Sequence, residues 1–362
     1  KNFNDLLIEC KECHTRFRAD ELEKDKCPHC GGNKFTKPTQ FNAMFRTNLG
    51  PVESKENTVY LRPETAQAMF VDFPEIVRSM RAKLPFGIAQ IGKAFRNEIT
   101  PGNFIFRLRE FEQMEVEYFI EPPQTKKDWE KYFDLWLREI RKWIKLIGID
   151  ATRVKEVDIS KNERAHYSER TVDIEFEYPF GQKELYGLAY RTDYDLKAHQ
   201  KHSGRSLAYK DAKSGKEVIP HVIEPSFGVE RTMLAVLVSA YSEEKVKSAK
   251  GEEELRVIMK LPKAIAPYKV AVLPLSDKPA LTKIAEKIRE DLQERFVTDY
   301  DVTQSIGKRY RRQDEIGTPY CVTVDFESVE DGKVTVRDRD TMVQERIAVA
   351  KVGEYLEEKL NA

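Results

Sequence analysis

The chain has 362 residues, 40% of them hydrophobic, with 61 Lys+Arg against 61 Asp+Glu. This length supports two or three domains with real cores, and the charge balance excludes a whole-molecule field for gathering nucleic acid, so a polyanion must be met by local patches. The longest apolar run, Met233–Val238, is too short to span a bilayer, and no signal peptide is read at Lys1, which gives a cytoplasmic expectation with no membrane partner.

Residues 1–50 are polar and turn-rich and hold two knuckles, Cys10-Lys-Glu-Cys13 and Cys27-Pro-His-Cys30, with thirteen residues between them. Two C-x-x-C pairs at this spacing can set four thiolates tetrahedrally around Zn2+. Gly31-Gly32 then lets the backbone turn tightly around the metal. Four thiolates leave no open position, so such a zinc is structural, and His14 and His29 are not needed as ligands. The alternative is a pair of reduced or redox-active thiols, for which no strand–helix context exists. Cys321, inside YCVTVDF, reads as a buried strand residue.

Residues 51–245 alternate strand-like and helical segments. LRPETAQ places Glu64 near a strand end, before a helix. Gly87–Lys93 fits G-x-x-x-x-G-K, but Ala94 stands where a P-loop needs Ser or Thr, and the segment runs on as a strand. Two strands follow, joined by a long loop, Ile99–Leu108, that can close over a ligand. Period-two geometry puts Gln90, Gly92, Arg96 and Glu98 on one face of the first strand, with Gly92 leaving open space. Ala89, Ile91 and Phe95 form the other face, read as core. In the second strand Phe111, Gln113 and Glu115 oppose Met114, Val116 and Tyr118. A binding surface and a surface sheet with cross-strand ion pairs both fit these residues.

Lys127–Ile149 has helical apolar spacing and ends at Gly148; Glu169–Tyr178 alternates as a strand. RTDYDL (Arg191–Leu196) lies between strand-like segments, and Lys201–Lys216 reads as a basic, flexible surface loop. EPSFGVERTMLAVLVSA carries Gly228 in a strand, then Glu230-Arg231, then an apolar helix. The charged stretch YSEEKVKSAKGEEELR then reads as a linker (246–262) or a solvated helix. From 263 to 362 the pattern is a small α/β domain. Its expected elements are a strand YKVAVLPL, a helix Lys278–Phe296, a strand Asp299–Gln304 and a short helix near Tyr310–Ile316. The strands YCVTVDF and KVTVRDR and a closing helix Gln344–Leu360 complete it.

Phe95-Arg96-x-Glu98, a loop, and Arg109-x-Phe111 resemble motif 2 of the class II aminoacyl-tRNA synthetases. Gly228-Val-Glu230-Arg231 before an apolar helix resembles motif 3. RPETAQ, FRNEITPGNFIFRLREFEQME and EPSFGVER are together similar to glycyl-tRNA synthetase of the homodimeric type. The last hundred residues resemble the anticodon-binding domain shared by glycyl, histidyl, prolyl and threonyl enzymes. The resemblance implies an α+β fold: a class II antiparallel-sheet catalytic domain (51–245) with a zinc-knuckle insertion in residues 1–50, then a small α/β anticodon-binding domain. FNDLLIEC is similar to the family's segment just after motif 1, so an upstream segment is expected.

The same resemblance implies ATP, Mg2+, glycine and tRNA(Gly) as cofactor and partners of a homodimer. Arg96, Glu98 and Arg231 would be catalytic, with Arg96 on the α-phosphate and Arg231 on the γ-phosphate, since the guanidinium fork suits phosphate oxygens. Asn97, Phe106, Arg107, Leu108, Arg109, Glu110, Phe111, Leu185, Gly228, Val229 and Glu230 would complete the ATP site, with Phe111 on adenine and Glu98 and Glu184 near Mg2+ or adenine. Glu64, Glu115, Glu224 and Ser226 would grip the glycine ammonium, in a pocket shared with Phe111, Glu112, Gln113, Met114, Pro225, Phe227 and Gly228. Arg96 and neighbouring cations would balance the clustered carboxylates. Arg191 is a further candidate for ATP, and Lys308–Arg312 for the tRNA backbone. A related synthetase for another amino acid, or a non-catalytic nucleotide- or RNA-binding paralogue, are the alternatives.

Overall fold

A computed structural model describes residues 3–19, 22, 26–211, 213–247, 251 and 253–361. Two compact units emerge, Lys1–Ile140 with Arg153–Leu234, and Arg141–Thr152 with Ala235–Ala362.

In the first unit β1 (Asn4–Glu9) pairs antiparallel with β2 (Arg16–Arg18) and β3 (Thr39–Asn42). β4 (Arg46–Asn48) and β5 (Thr58–Tyr60) form a second small ribbon. Then come α1 (Ala66–Met80), β6 (Phe86–Phe95), β7 (Glu110–Ile120), α2 (Lys126–Leu146), β8 (Val154–Asp158), β9 (Arg170–Tyr178), β10 (Gly181–Thr192) and α3 (Tyr194–Ser203). A short ribbon, β11 (Tyr209–Lys210) with β12 (Glu217–Val218), precedes β13 (His221–Gly228) and α4 (Val229–Ala240). Six strands make one antiparallel sheet in the order β6-β7-β13-β10-β9-β8.

Which face of this sheet is the core differs from expectation. Ala66, Met69, Phe70 and Phe73 recur at helical spacing on α1. Phe70 and Phe73 pack with Phe119, Leu196 and Val222, and Phe73 lies 4.5 Å from Phe119 between ring centroids. Phe119 shares its face of β7 with Gln113, Glu115 and Glu117, so the polar face is the covered one and these three are buried. Ile91, expected in the core, is 70% exposed. The space over Gly92 is not open: a Cβ there would lie 2.4 Å from the Arg62 guanidinium. β6 also stops at Phe95, so Arg96 and Glu98 lie beyond the strand.

The second unit begins with an antiparallel ribbon, β14 (Tyr241–Lys247) and β15 (Glu253–Met259). The stretch expected as a linker or helix is therefore a strand pair; residues 248–250 and 252 of it lie outside the described residues. β16 (Val270–Pro274), α5 (Pro279–Gln293), β17 (Thr298–Tyr300), α6 (Ile306–Ile316), β18 (Tyr320–Val324), α7 (Phe326–Asp331), β19 (Lys333–Asp338), β20 (Gln344–Ala348) and α8 (Val352–Asn361) follow. The sheet order is β17-β16-β18-β19-β20, parallel through its first three strands and antiparallel beyond. Gln344–Ala348, expected to open the closing helix, is its edge strand. Cys321 is buried in β18, as its apolar strand context suggests.

The basic run Lys308–Arg312 sits on α6 and is largely committed to internal partners. Arg309 is fully buried and donates to the carbonyls of Pro274, Leu275 and Asp301. Arg312 pairs with Asp301, and Arg311 reaches Glu254 at 3.4 Å. Helical periodicity explains this: a run of five residues must turn part of itself toward the sheet.

Candidate active site

A cleft of about 370 Å³ opens in the first unit on the face of the sheet that carries the buried polar residues. Its walls come from the ends of β7, β10 and β13, the segment before α1, and the loop between β6 and β7.

At one end stand Arg96, Phe111 and Arg231. The ladder continues past β6 through Arg96 N–H donating to the Arg109 carbonyl at 2.9 Å. The Arg96 Nε donates to the Pro63 carbonyl at 3.0 Å, and its guanidinium carbon lies 5.3 Å from the Phe111 ring centroid. Arg231, in the first turn of α4, donates to the Glu184 carboxylate at 3.0 Å and to the Glu184 carbonyl at 3.1 Å. Its guanidinium lies 4.4 Å from the Phe106 centroid. Burial, with Glu184 and Glu175 adding to it, pushes the Asp173 carboxyl in this wall up to about 7, against the pull of Arg231.

At the other end the carboxylates gather. Glu115 accepts from Thr65 N–H at 3.0 Å and from the Thr65 hydroxyl, and its second oxygen accepts from Ser226 Oγ at 2.8 Å and Gln113 Nε2 at 3.2 Å. Glu64 accepts from Gln67 at 2.8 Å. Glu224 is clamped by Arg191, whose Nη1 donates to both its oxygens at 2.8 and 2.9 Å. The same guanidinium donates from Nε and Nη2 to Asp195 at 2.8 and 2.9 Å. Burial works against the Arg191 charge, yet Glu224 and Asp195 hold its pKa well above the usual arginine value. Burial also lifts the Glu224 carboxyl, to about 7, even with Arg191 attached.

Most expected residues meet in this cleft. Glu64, Arg96, Glu98, Phe106, Arg107, Leu108, Phe111, Gln113, Glu115, Glu184, Leu185, Glu224, Ser226, Gly228, Glu230 and Arg231 all line it. Asn97, Arg109, Glu110, Glu112, Met114, Pro225, Phe227 and Val229 do not. Met114, Pro225 and Phe227 alternate with wall residues and so point to the opposite face; Phe227 stacks edge-on against Tyr186 at 4.7 Å. Glu112 gives its backbone N–H to Glu230 at 3.0 Å, and Glu110 pairs with Lys93 outside the cleft. Arg191 lines the floor as a brace for two carboxylates, not as a free phosphate ligand, and is one of the neighbouring cations expected to balance the carboxylates with Arg96. Tyr167, stacked 3.9 Å from the Arg191 guanidinium, and Asp173 were not singled out in the sequence. Asp173 sits in a strand whose alternation could have marked it; Tyr167 lies in a loop with no such signal.

Apart from the cleft, Cys10, Cys13, Cys27 and Cys30 converge with all four sulfurs within 4.8 Å of one another. Sγ–Sγ distances are 3.7 Å for Cys10–Cys30 and 3.6 Å for Cys13–Cys27. Gly31, at φ +77°, and the Gly31 N–H to Cys27 carbonyl bond at 2.8 Å fold the second knuckle inward.

Comparison with known proteins gives two family matches. The "tRNA synthetase class II core domain (G, H, P, S and T)" matches residues 45–240, and the "Anticodon binding domain" matches residues 269–359. The glycine–tRNA ligase of Caldanaerobacter subterraneus is 50% identical, over 99% of this chain and 82% of that protein. Those of Geobacillus thermodenitrificans and Thermobifida fusca are each 48% identical, over 99% of this chain and 81% of theirs. With two arginines and an acidic pocket on one antiparallel sheet, these matches across almost the whole chain place it in the glycine–tRNA ligase family of class II aminoacyl-tRNA synthetases.

Proposed function

We propose that the chain joins glycine to tRNA(Gly) in two steps through a glycyl-adenylate, and that the cleft is where both steps occur. The observation that carries this reading is the joining of Arg96, Phe111 and Arg231 with Glu64, Glu115, Glu224 and Ser226 in one cavity of about 370 Å³. In the first step a glycine carboxylate oxygen bonds to the α-phosphorus of ATP as the bond to pyrophosphate breaks. The carboxylate is already ionised near neutral pH, so no general base is needed, and catalysis rests on positioning and on stabilising charge.

Arg96, anchored through Nε, keeps its terminal nitrogens for the α-phosphate. Phe111 offers its ring to adenine. Arg231 exchanges the Glu184 carboxylate for the γ-phosphate. Glu64, Glu115 and Glu224 receive the ammonium, and Ser226 holds Glu115 in place. A pocket that closes around the two Cα hydrogens of bound glycine would reject a side chain by overlap. In the second step a ribose hydroxyl at the tRNA 3′ end attacks the glycyl carbonyl and AMP leaves. The anticodon-binding match supports the second unit as the tRNA-reading part, with contacts other than the buried Arg309.

Two metals belong to the reading. Glu98 and Glu184 are oxygen donors of the kind Mg2+ accepts, and that ion neutralises triphosphate charge when bound. For the cysteine cluster, a tetrahedron with Zn–S bonds of about 2.3 Å has S–S edges of about 3.8 Å. The spacings of 3.6 and 3.7 Å fit this, so all four thiolates would hold a structural Zn2+. A homodimer in the cytoplasm completes the proposal, supported by the likeness to homodimeric-type enzymes.

Glycine-dependent exchange of label between pyrophosphate and ATP tests it. Exchange supported by glycine alone is the expected result. Arg96→Ala should lower it by about a hundredfold or more, as for loss of one charge-stabilising donor. Wild-type exchange in that variant, or exchange driven by another amino acid, would remove the assignment.

A further inference from the structure

Behind the acidic wall lies a carboxyl group that the reaction above does not use. Glu117 is fully buried on β7, and neither of its oxygens has a hydrogen-bond partner among the described residues. The register sets Ile223 opposite Tyr118 and Ser226 opposite Glu115, which brings Glu224 opposite Glu117. Like charges directly opposite each other across two strands repel, and Pro225 next to Glu224 has no N–H to offer. On its other side Glu117 faces Ile88 of β6, which gives neither charge nor donor.

The charged groups around Glu117 are unbalanced. Glu115 from β7, Glu224 from β13 and Asp195 from α3 all act on it, and Arg191 from β10 is the cation that opposes them most strongly. All three donor nitrogens of Arg191 already go to Glu224 and Asp195. From α1, Gln67 binds Glu64, Asp195 and His199 and adds no charge. An ionised carboxylate here has no donor among the described residues and shares its cation with two other carboxylates, so burial drives such a group to its neutral form until a further positive charge arrives.

We propose that Glu117 and Glu224 together hold one proton while the pocket lacks glycine, and that the arriving glycine ammonium expels it to solvent. Glu117 is thus a positioning residue: it touches no substrate, and it sets the charge that Glu224 presents. This rests on the glycine reading of the cleft. The direction comes from linkage: below the pair's titration the proton must be displaced, so glycine affinity rises with pH and then levels. The location of the proton pair near neutrality agrees with burial lifting Glu224 to about 7 and Glu117 well above its usual range.

The test is the pH profile of glycine KM in pyrophosphate exchange, from pH 5.5 to 8.5, for wild type and Glu117→Gln. In wild type, glycine KM should fall by up to about tenfold per pH unit on the acid side and flatten above neutrality, the slope of one released proton. The amide keeps the shape of the acid but cannot share the proton, so its KM profile should be flat, with the ATP KM profile of wild type. A Glu117→Gln profile that tracks wild type overturns the proposal, as does a wild-type glycine KM that ignores pH. Should the variant fail to fold, infrared difference spectra of the wild type decide: adding glycine must remove a carboxylic-acid carbonyl band, and an unchanged band refutes the idea. Absence of any glycine-dependent exchange in wild type would instead bring down the glycine reading itself, a result recognisable without the variant.

Discussion

Arg191 shows what one buried side chain does for the acidic pocket. Its guanidinium makes four hydrogen bonds to two carboxylates at 2.8–2.9 Å, with 2% of the side chain exposed. Removing one partner of such a network leaves charge buried and uncompensated. Arg191→Met should therefore destabilise the protein by about 3–5 kcal/mol in urea titration, and Arg191→Lys should recover only part, because an ammonium cannot make the paired fork. Equal urea midpoints for wild type and Arg191→Met would remove Arg191 as the brace. Strand alternation marked Glu115 in the sequence, while Glu224 was named only through the family resemblance. It could not assign Arg191: Asp195 lies across a strand–helix junction and Glu224 four elements further along the chain, so nothing local distinguishes a brace from a phosphate ligand.

At the scale of elements, periodicity located most strands and helices but not which side of a strand pair is covered. That depends on where α1 docks, and Phe70 and Phe73 bring it onto the face with the glutamates. The β14–β15 ribbon is hidden in the sequence for a related reason: with alternating residues open to solvent, it can carry charge at most positions and lacks the apolar stripe of a sheet strand. The C-terminus of α2 was legible from Gly148, and the structure gives the cause. Ile149 N–H returns to the Ile144 carbonyl at 3.0 Å while Gly148 adopts φ +74°. A Cβ at Gly148 would lie 2.3 Å from Pro262 Cγ. Gly148→Ala combines this clash with left-handed strain, so a loss of about 1–3 kcal/mol is expected, read as a lower thermal midpoint. A midpoint equal to wild type would mean that neither the φ nor the contact constrains this turn.

Across the molecule, each unit owes its stability to different means. The second has a continuous core around β16, β18 and α5. Among the described residues, the β1–β2–β3 sheet buries Ile8, Cys10, Phe17 and Cys27, with Cys13, Ala19, Leu22 and Phe35 partly buried against them, a small core of the kind that a staple supports. Its neighbour is the motif 2 loop: Asn97 N–H donates to the Ala43 carbonyl at 2.7 Å, and Thr100 Oγ1 to the Arg16 carbonyl at 3.4 Å. Treatment with a zinc chelator, or replacing Cys27 by Ser, should therefore lower thermal stability and raise the ATP KM. A chelated protein with unaltered melting and nucleotide affinity would show that the cluster carries no structural metal.

The bond from Arg96 Nε to the Pro63 carbonyl has a wider consequence. Pro63 immediately precedes Glu64, so in the proposed reading the group offered to nucleotide and the group offered to amino acid hang from one joint. Whatever steadies the guanidinium also steadies the acid beside it. On that reading, occupancy by either ligand would strengthen the grip on the other, and thermodynamic reciprocity would make the two enhancements equal in size.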